Sequence, residues 1–98
     1  MNTYMINIAL PAVIDEKFVS LIPKQRAHIN KLMDKDIVLQ YSLAIDRARL
    51  WVVLKAKSEI KAMDILSEFP MINYMKPEII ELAFHNSIAN DLPKLIMN

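Results

Sequence analysis

The sequence predicts a small α+β domain in which one antiparallel sheet is covered by two helices on a single face. Three observations lead to this prediction. In several short segments apolar residues alternate with a period of two, which is typical of strands. Two longer segments repeat apolar residues every three or four positions, which is typical of helices that pack by one face. The chain has 98 residues, 54% of them hydrophobic, enough for one domain with its own core.

Residues 4–10 form the first predicted strand, because their side chains alternate, and Pro11 ends it. A helical stretch follows from about residue 15 to residue 35, with Asp15 at its N-terminus, where a side-chain oxygen is favourable. Pro23 interrupts this stretch, so the helix either kinks or stops there. Because a proline disfavours helical geometry in the residue before it, we expect Pro23 to begin a second helix.

Residues 37–46 and 50–56 are the next two predicted strands, joined by a turn of hairpin length at residues 46–49. Residues 50–56 are apolar on both faces and suit a central strand. Ser58 caps a helix that reaches about residue 70, and residues 78–86 form the last strand. The predicted order is therefore β-α-β-β-α-β, the ferredoxin-like pattern with a four-stranded antiparallel sheet.

Two helices cover only one face of such a sheet. The residues predicted on the other face include Met5, Asn7, Val38, Ala44, Val53, Ile79 and Ala83. So much apolar surface is seldom left in water. We therefore predict at least a homodimer in which two sheets pack face to face.

Composition excludes several classes of function. The 12 basic and 11 acidic residues give a net charge of +1, which argues against a nucleic-acid partner. The absence of cysteine excludes disulfides and thiolate chemistry, and the absence of glycine excludes the glycine-rich phosphate loops. Two histidines without an acidic cluster do not predict a metal site. We expect no metal and no cofactor, and no membrane partner, since no apolar run is long enough to span a bilayer. The N-terminus has no signal-peptide pattern, so a cytoplasmic location is predicted.

Three stretches carry a resemblance to a known family. They are residues 21–26 (LIPKQR), residues 50–53 (LWVV), and a run with Phe69, Pro70, Tyr74, Met75, Glu78, Leu82 and His85. In these stretches the sequence resembles the dimeric α/β barrel superfamily and, within it, muconolactone isomerase and its small relatives. The resemblance implies sheet-to-sheet dimers with a small-molecule cavity between sheet and helices or inside the barrel. Relatives usually hold a glycine after the first helix; here Lys35 or Asp36 must adopt the left-handed conformation instead.

Glu81 and His85 are the predicted catalytic residues. They lie four apart on the last predicted strand, so both would point away from the helices, about 13 Å from each other. They could flank a ligand, since histidine titrates near neutrality and a buried glutamate becomes a usable acid or base. The alternative is that His85 is an exposed strand end and Glu81 pairs with Lys55 or an arginine.

Five residues are predicted to bind a ligand. Asn7, Gln40 and Ser42 share the uncovered sheet face, where they could hydrogen-bond a carbonyl or carboxylate, or else pair with each other or with water. Arg26 follows Pro23 and could hold an anion, or else lie on an exposed helix face. Trp51 is the fifth predicted ligand-binding residue, with a place in the core or the interface as the alternative.

The sequence thus predicts a dimeric small-molecule-binding barrel protein, non-catalytic or of unassigned activity, with an anionic or carbonyl-bearing ligand. The resemblance implies an alternative, a cofactor-free isomerase acting by proton transfer on a small lactone or carbonyl compound. A structural oligomer with a packed interior is a third possibility. Residues 87–98, which include Leu92 and Leu95, are predicted to form a C-terminal tail that contacts a neighbouring subunit.

Overall fold

A computed structural model describes residues 1–86 of the chain. The predicted order of elements and the ferredoxin-like fold are confirmed. The elements are β1 (Asn2–Ala9), α1 (Glu16–Asp34), β2 (Val38–Leu43), β3 (Arg49–Ala56), α2 (Glu59–Ser67), a single 3-10 turn (Ile72–Tyr74) and β4 (Lys76–Leu82). The tail that was predicted at residues 87–98 lies outside the described residues.

The four strands form one antiparallel sheet in the order β2-β3-β1-β4. Both helices pack on the same face, which we call the covered face, and their core side chains meet those of β1 and β3. This core includes Tyr4, Ile6, Ile8, Phe18, Ile29, Val52, Leu54, Ala62 and Leu66. The opposite side, which we call the open face, carries Met5, Asn7, Gln40, Ser42, Trp51, Val53, Glu78, Ile80 and Leu82.

Helix α1 begins as predicted, because Asp15 Oδ1 accepts a hydrogen bond from the Phe18 N–H at 2.8 Å. The predicted break at Pro23 is wrong: α1 continues through it to Asp34. An interior proline costs about 3 kcal/mol, but Pro23 is exposed and the apolar stripe packs on the sheet on both sides of it, through Phe18 before and Ile29 after. Burying these side chains outweighs the lost backbone hydrogen bond.

The end of α1 requires a left-handed residue, as the sequence predicts. Asp36 takes this role with φ 59°. The Asp36 N–H donates to the Met33 carbonyl at 3.0 Å and the Ile37 N–H donates to the Leu32 carbonyl at 2.9 Å. This is the Schellman arrangement, in which the last carbonyls of a helix find donors beyond its end.

The β2–β3 hairpin differs from its predicted boundaries. Strand β2 ends at Leu43 rather than at residue 46, and residues 44–48 form the connection. Arg47, with φ 61°, is the second left-handed residue of the described chain. Its N–H donates to the Ala44 carbonyl at 2.9 Å, and the Ala48 N–H donates to Asp46 Oδ1 at 2.9 Å.

Two residues predicted on the open face lie on the covered face instead. Val38 pairs with Leu54 and is 2% exposed, because a bulge between Val38 and Gln40 shifts the alternation of β2. Ile79 pairs with Ile6, so Ile80 takes the open face. Two further residues predicted there, Ala44 and Ala83, fall outside the strands.

The α-helices of residues 1–86 are α1 and α2. Neither is long and apolar enough within residues 1–86 to cross a bilayer.

Candidate functional site

A cavity of about 770 Å³ lies between α1 and the covered face of the sheet. Its walls come from α1, from β2 and the start of β3, from the hairpin connection and from the segment before β4. Most of these walls are apolar, and they include Phe18, Ile29, Leu50, Met71 and Met75. Its size is in the range of small-molecule sites, which are usually apolar with a few polar groups.

Gln25 is the one buried polar residue of this region among residues 1–86, with 2% of its surface exposed. Its Oε1 accepts a hydrogen bond from the Met71 backbone N–H at 3.1 Å. Its Nε2 donates to the Tyr41 hydroxyl oxygen at 3.2 Å. Because a backbone N–H can only donate, the amide of Gln25 has a fixed orientation. The Tyr41 oxygen is therefore an acceptor toward Gln25.

Tyr41 also lines the cavity and is half-buried. Since its oxygen accepts from Gln25, its own proton is available for another acceptor, and the described residues supply none. Burial raises the pKa of Tyr41 above the ordinary value of 10.0, although the hydrogen bond from Gln25 and the charge of Arg26 act in the opposite direction. The hydroxyl is thus neutral at physiological pH and keeps a proton that it can donate to a group in the cavity.

Two arginines bring positive charge to the same cavity. Arg26 comes from α1 and Arg47 from the hairpin connection, and both are exposed. The ion pair found within residues 1–86 joins Lys61 to Asp64, so neither arginine has an acidic partner there. None of the described residues that line the cavity is Asp, Glu or His.

The other predicted ligand-binding residues lie on the opposite side of the sheet from Arg26. Trp51 stands between Asn7 and Ser42 in the cross-strand register of the open face. The Arg49 Nη1 donates to Asn7 Oδ1 at 3.3 Å, and the Gln40 Nε2 donates to Ser42 Oγ at 3.4 Å. Hence the structure brings four of the five residues together, but not with Arg26.

Glu81 and His85 were predicted to share one face of the last strand, but the structure does not place them so. Strand β4 ends at Leu82, so His85 lies beyond it and the two-residue alternation no longer applies. Glu81 pairs with Tyr4, which places it on the covered side, where it is exposed at the sheet edge. The buried Nε2 of His85 has no hydrogen-bond partner in the described part of the chain. Neither residue lines the cavity under α1.

A sequence comparison identifies the family. The model of the muconolactone delta-isomerase family matches residues 4–88, which is most of the chain. The chain belongs to the muconolactone delta-isomerase family. No curated protein gives a significant match to the sequence.

Solved structures agree with this family at the level of the fold. A crystal structure of muconolactone isomerase is 19% identical, with a TM-score of 0.69, over 87% of this chain and 92% of that one. The 5-chloro-2-hydroxyhydroquinone dehydrochlorinase of Burkholderia phenoliruptrix, solved in complex with 2,5-dihydroxybenzoquinone, is 13% identical. Its TM-score is 0.56, over 91% of this chain and 99% of that one.

Sequence reasoning did not assign three residues of the cavity, Gln25, Tyr41 and Arg47, to the ligand-binding set. The sequence does indicate that Gln25 is buried, because it lies four positions from both Leu21 and Ile29 and so falls on the apolar stripe of α1. A polar residue on a buried stripe needs hydrogen-bond partners. Tyr41 and Arg47 lie on other elements, and their convergence depends on the folded chain.

Proposed function

We propose that this protein binds a small organic ring bearing a carbonyl or carboxylate oxygen in the cavity under α1. One observation carries the proposal: the fixed amide of Gln25 leaves the Tyr41 hydroxyl as a donor toward the cavity. Tyr41 is half-buried, and no described residue accepts its hydroxyl proton, so a ligand oxygen in the cavity could accept it.

The remaining walls suit the same ligand. An apolar cavity favours the carbon frame of a ring, and Arg26 and Arg47 favour an anionic substituent at the cavity. The two similar structures are named for a lactone isomerase and for a dehydrochlorinase in complex with a dihydroxybenzoquinone. Both names point to small oxygenated rings, which supports this ligand class for the present chain.

Binding without reaction is the function that the cavity favours. Proton transfer is most efficient with a group whose pKa lies near the working pH, and no Asp, Glu or His is found among the described lining residues. Family membership favours a second candidate, a cofactor-free isomerase in which Tyr41 holds the carbonyl oxygen of a lactone. The assignment of His85 and Glu81 as its acid and base stays a prediction.

Calorimetric titration with muconolactone and with 2,5-dihydroxybenzoquinone tests the binding proposal. We expect Tyr41→Phe to weaken binding about tenfold, the usual cost of one good hydrogen bond. Tyr74→Phe is the matched control, because the Tyr74 hydroxyl bonds Asp15 instead of lining the cavity. A wild-type protein that binds neither compound, or a Tyr41→Phe variant that binds as tightly as the wild type, would contradict the proposal.

The second candidate has its own test. Ultraviolet absorbance follows the shift of the muconolactone double bond over time in the presence of the protein. Turnover that is lost in Tyr41→Phe and kept in Tyr74→Phe would favour the isomerase. Binding without turnover would favour the non-catalytic protein.

We also infer that two copies associate through their open faces. Met5, Trp51, Ile80 and Leu82 are apolar side chains on this face that the chain's own helices do not cover. In such a dimer Asn7, Gln40, Ser42 and Trp51 lie between the two sheets, and their role as ligand contacts stays a prediction. Sedimentation of the full chain tests the dimer, and a stable monomer at micromolar concentration would contradict it.

A further inference from the structure

Arg47 has a backbone conformation that is unfavourable for its residue type. Its φ of 61° lies in the left-handed region, where a side chain beyond Cβ costs energy and glycine is preferred. The other left-handed residue of the described chain is Asp36. Asp tolerates this region better, because a short polar side chain can hydrogen-bond locally. A long charged side chain has no such compensation.

The hairpin connection holds Arg47 firmly in this conformation. The Ala44 N–H donates to the Arg49 carbonyl and the Arg47 N–H donates back to the Ala44 carbonyl, both at 2.9 Å. The Asp46 side chain accepts from the next N–H, that of Ala48. The turn is therefore well determined, and the residue at its left-handed position has a defined place at the cavity.

The side chain of Arg47 contributes to the cavity instead of to the stability of the turn. It lines the cavity together with Arg26 and Tyr41, and it makes no ion pair within residues 1–86. A strained residue whose side chain makes no ion pair or hydrogen bond within residues 1–86 suggests a role in ligand recognition.

We propose that Arg47 selects ligands that carry a carboxylate, and that its left-handed backbone is retained for this purpose against the stability of the fold. This inference rests on the proposed binding function. The competing explanation is compositional: the chain contains no glycine, so some other residue must occupy every left-handed position. That explanation predicts no effect of Arg47 on binding.

The test replaces Arg47 with glycine in the full chain and measures both thermal unfolding and calorimetric binding. The probes are muconolactone, which carries a carboxylate, and its methyl ester, which does not. We expect Arg47→Gly to raise the Tm by a few degrees, since it relieves backbone strain. We expect it also to weaken binding of muconolactone about tenfold and to leave binding of the ester unchanged.

Two control variants separate the effects of relieved backbone strain and of lost positive charge from the effect of ligand recognition by Arg47. Asp36→Gly relieves the other left-handed residue, which does not line the cavity, so it should raise the Tm without changing either affinity. Lys57→Gln removes one exposed positive charge just after β3, away from the cavity, and should leave both affinities unchanged. Arg47→Asn provides a second variant that tolerates the left-handed region without the guanidinium.

Each outcome decides between the explanations. If Arg47→Gly binds muconolactone as tightly as the wild type, or loses the same affinity for both probes, the proposal that Arg47 selects carboxylates is wrong. If both probes lose affinity in Tyr41→Phe but not in Arg47→Gly, the binding function stands and only this inference fails. A wild-type protein that binds neither probe overturns both.

Discussion

On the covered side of the sheet, Gln25 of α1 has both ends of its amide hydrogen-bonded, whereas on the open face the amide of Gln40 reaches only Ser42 within residues 1–86. The bonds of Gln25 are 3.1 and 3.2 Å long; the first is buried and the second is partly buried. Those of the open face, from Arg49 to Asn7 and from Gln40 to Ser42, are 3.3 and 3.4 Å long and exposed. The two faces therefore hold polar groups under different constraints.

This difference separates a fixed site from an adaptable surface. A buried polar group must have partners, so its direction is defined before a ligand arrives. An exposed polar group exchanges protein partners for water at little cost, so its direction is set only when something covers it. This difference supports the two proposals made above, ligand binding on the covered side and association of copies through the open side.

The largest expected effect concerns apolar packing on the two faces. Leu54 is fully buried on the covered face, so Leu54→Ala should lower the free energy of unfolding by about 3 kcal/mol. Ile80 is 45% exposed on the open face, and Ile80→Ala should cost less than about 1 kcal/mol in dilute protein. Urea denaturation at submicromolar concentration measures both values. Equal losses would mean that the open face is covered within a single chain.

The second largest effect is the difference in unfolding free energy between substitutions of a buried and an exposed glutamine. Gln25→Leu leaves the Met71 N–H without its acceptor in the interior, and it should cost about 2 kcal/mol of unfolding free energy. Gln40→Leu changes an exposed side chain and should cost less than about 0.5 kcal/mol. The same urea experiment measures both. If the Gln25 variant is as stable as the wild type, the amide does not organise the cavity.

The third effect belongs to the open face alone. Trp51→Ala should weaken self-association about tenfold, because aromatic side chains dominate the centres of interfaces. Sedimentation equilibrium measures the dissociation constant, and Tyr41→Phe, which changes the covered side, serves as its control. An unchanged constant for Trp51→Ala would place the interface elsewhere.

The smallest effect is on the alkaline side of the stability profile. The folded state raises the pKa of Tyr41 mainly by burial, so folding favours its protonated form. This contribution is complete below the unfolded pKa of about 10 and is lost as the pH rises through the folded value. Tyr41→Phe should therefore lose stability less steeply above pH 10 than the wild type. Thermal unfolding between pH 8 and 11 checks this, and identical slopes would contradict it.

The order of elements could be predicted because alternation and helical spacing are local properties of the sequence. Local patterns led to three wrong predictions, two about the sheet face of a residue and one about a helix break. The bulge after Val38 moved one residue of β2 to the other face, and Ile79 and Ile80 are equally apolar, so only pairing with β1 decides between them. Pro23 disfavours a helix locally, but packing on both sides of it keeps α1 whole.

The candidate site was harder to predict than the fold. Asn7, Gln40 and Ser42 were found because they alternate along strands, and the structure places them on the open face as predicted. In the cavity only Arg26 was predicted, and for a reason that the structure overturns: it was expected at the start of a helix after Pro23, whereas it lies inside α1. Tyr41 is one apolar position among many in its strand, and the backbone of Arg47 is set by hydrogen bonds that span the hairpin.

The edges of the sheet bear on how the protein behaves when it is concentrated. Strands β2 and β4 are the two outer strands, and an exposed strand edge is a template for aggregation. Strand β2 carries a bulge, and β4 contains Pro77, which has no N–H to offer to another strand. Both edges are thus poorly suited to extending the sheet into a fibril. Association through the open faces, as proposed above, would instead stop at a closed pair.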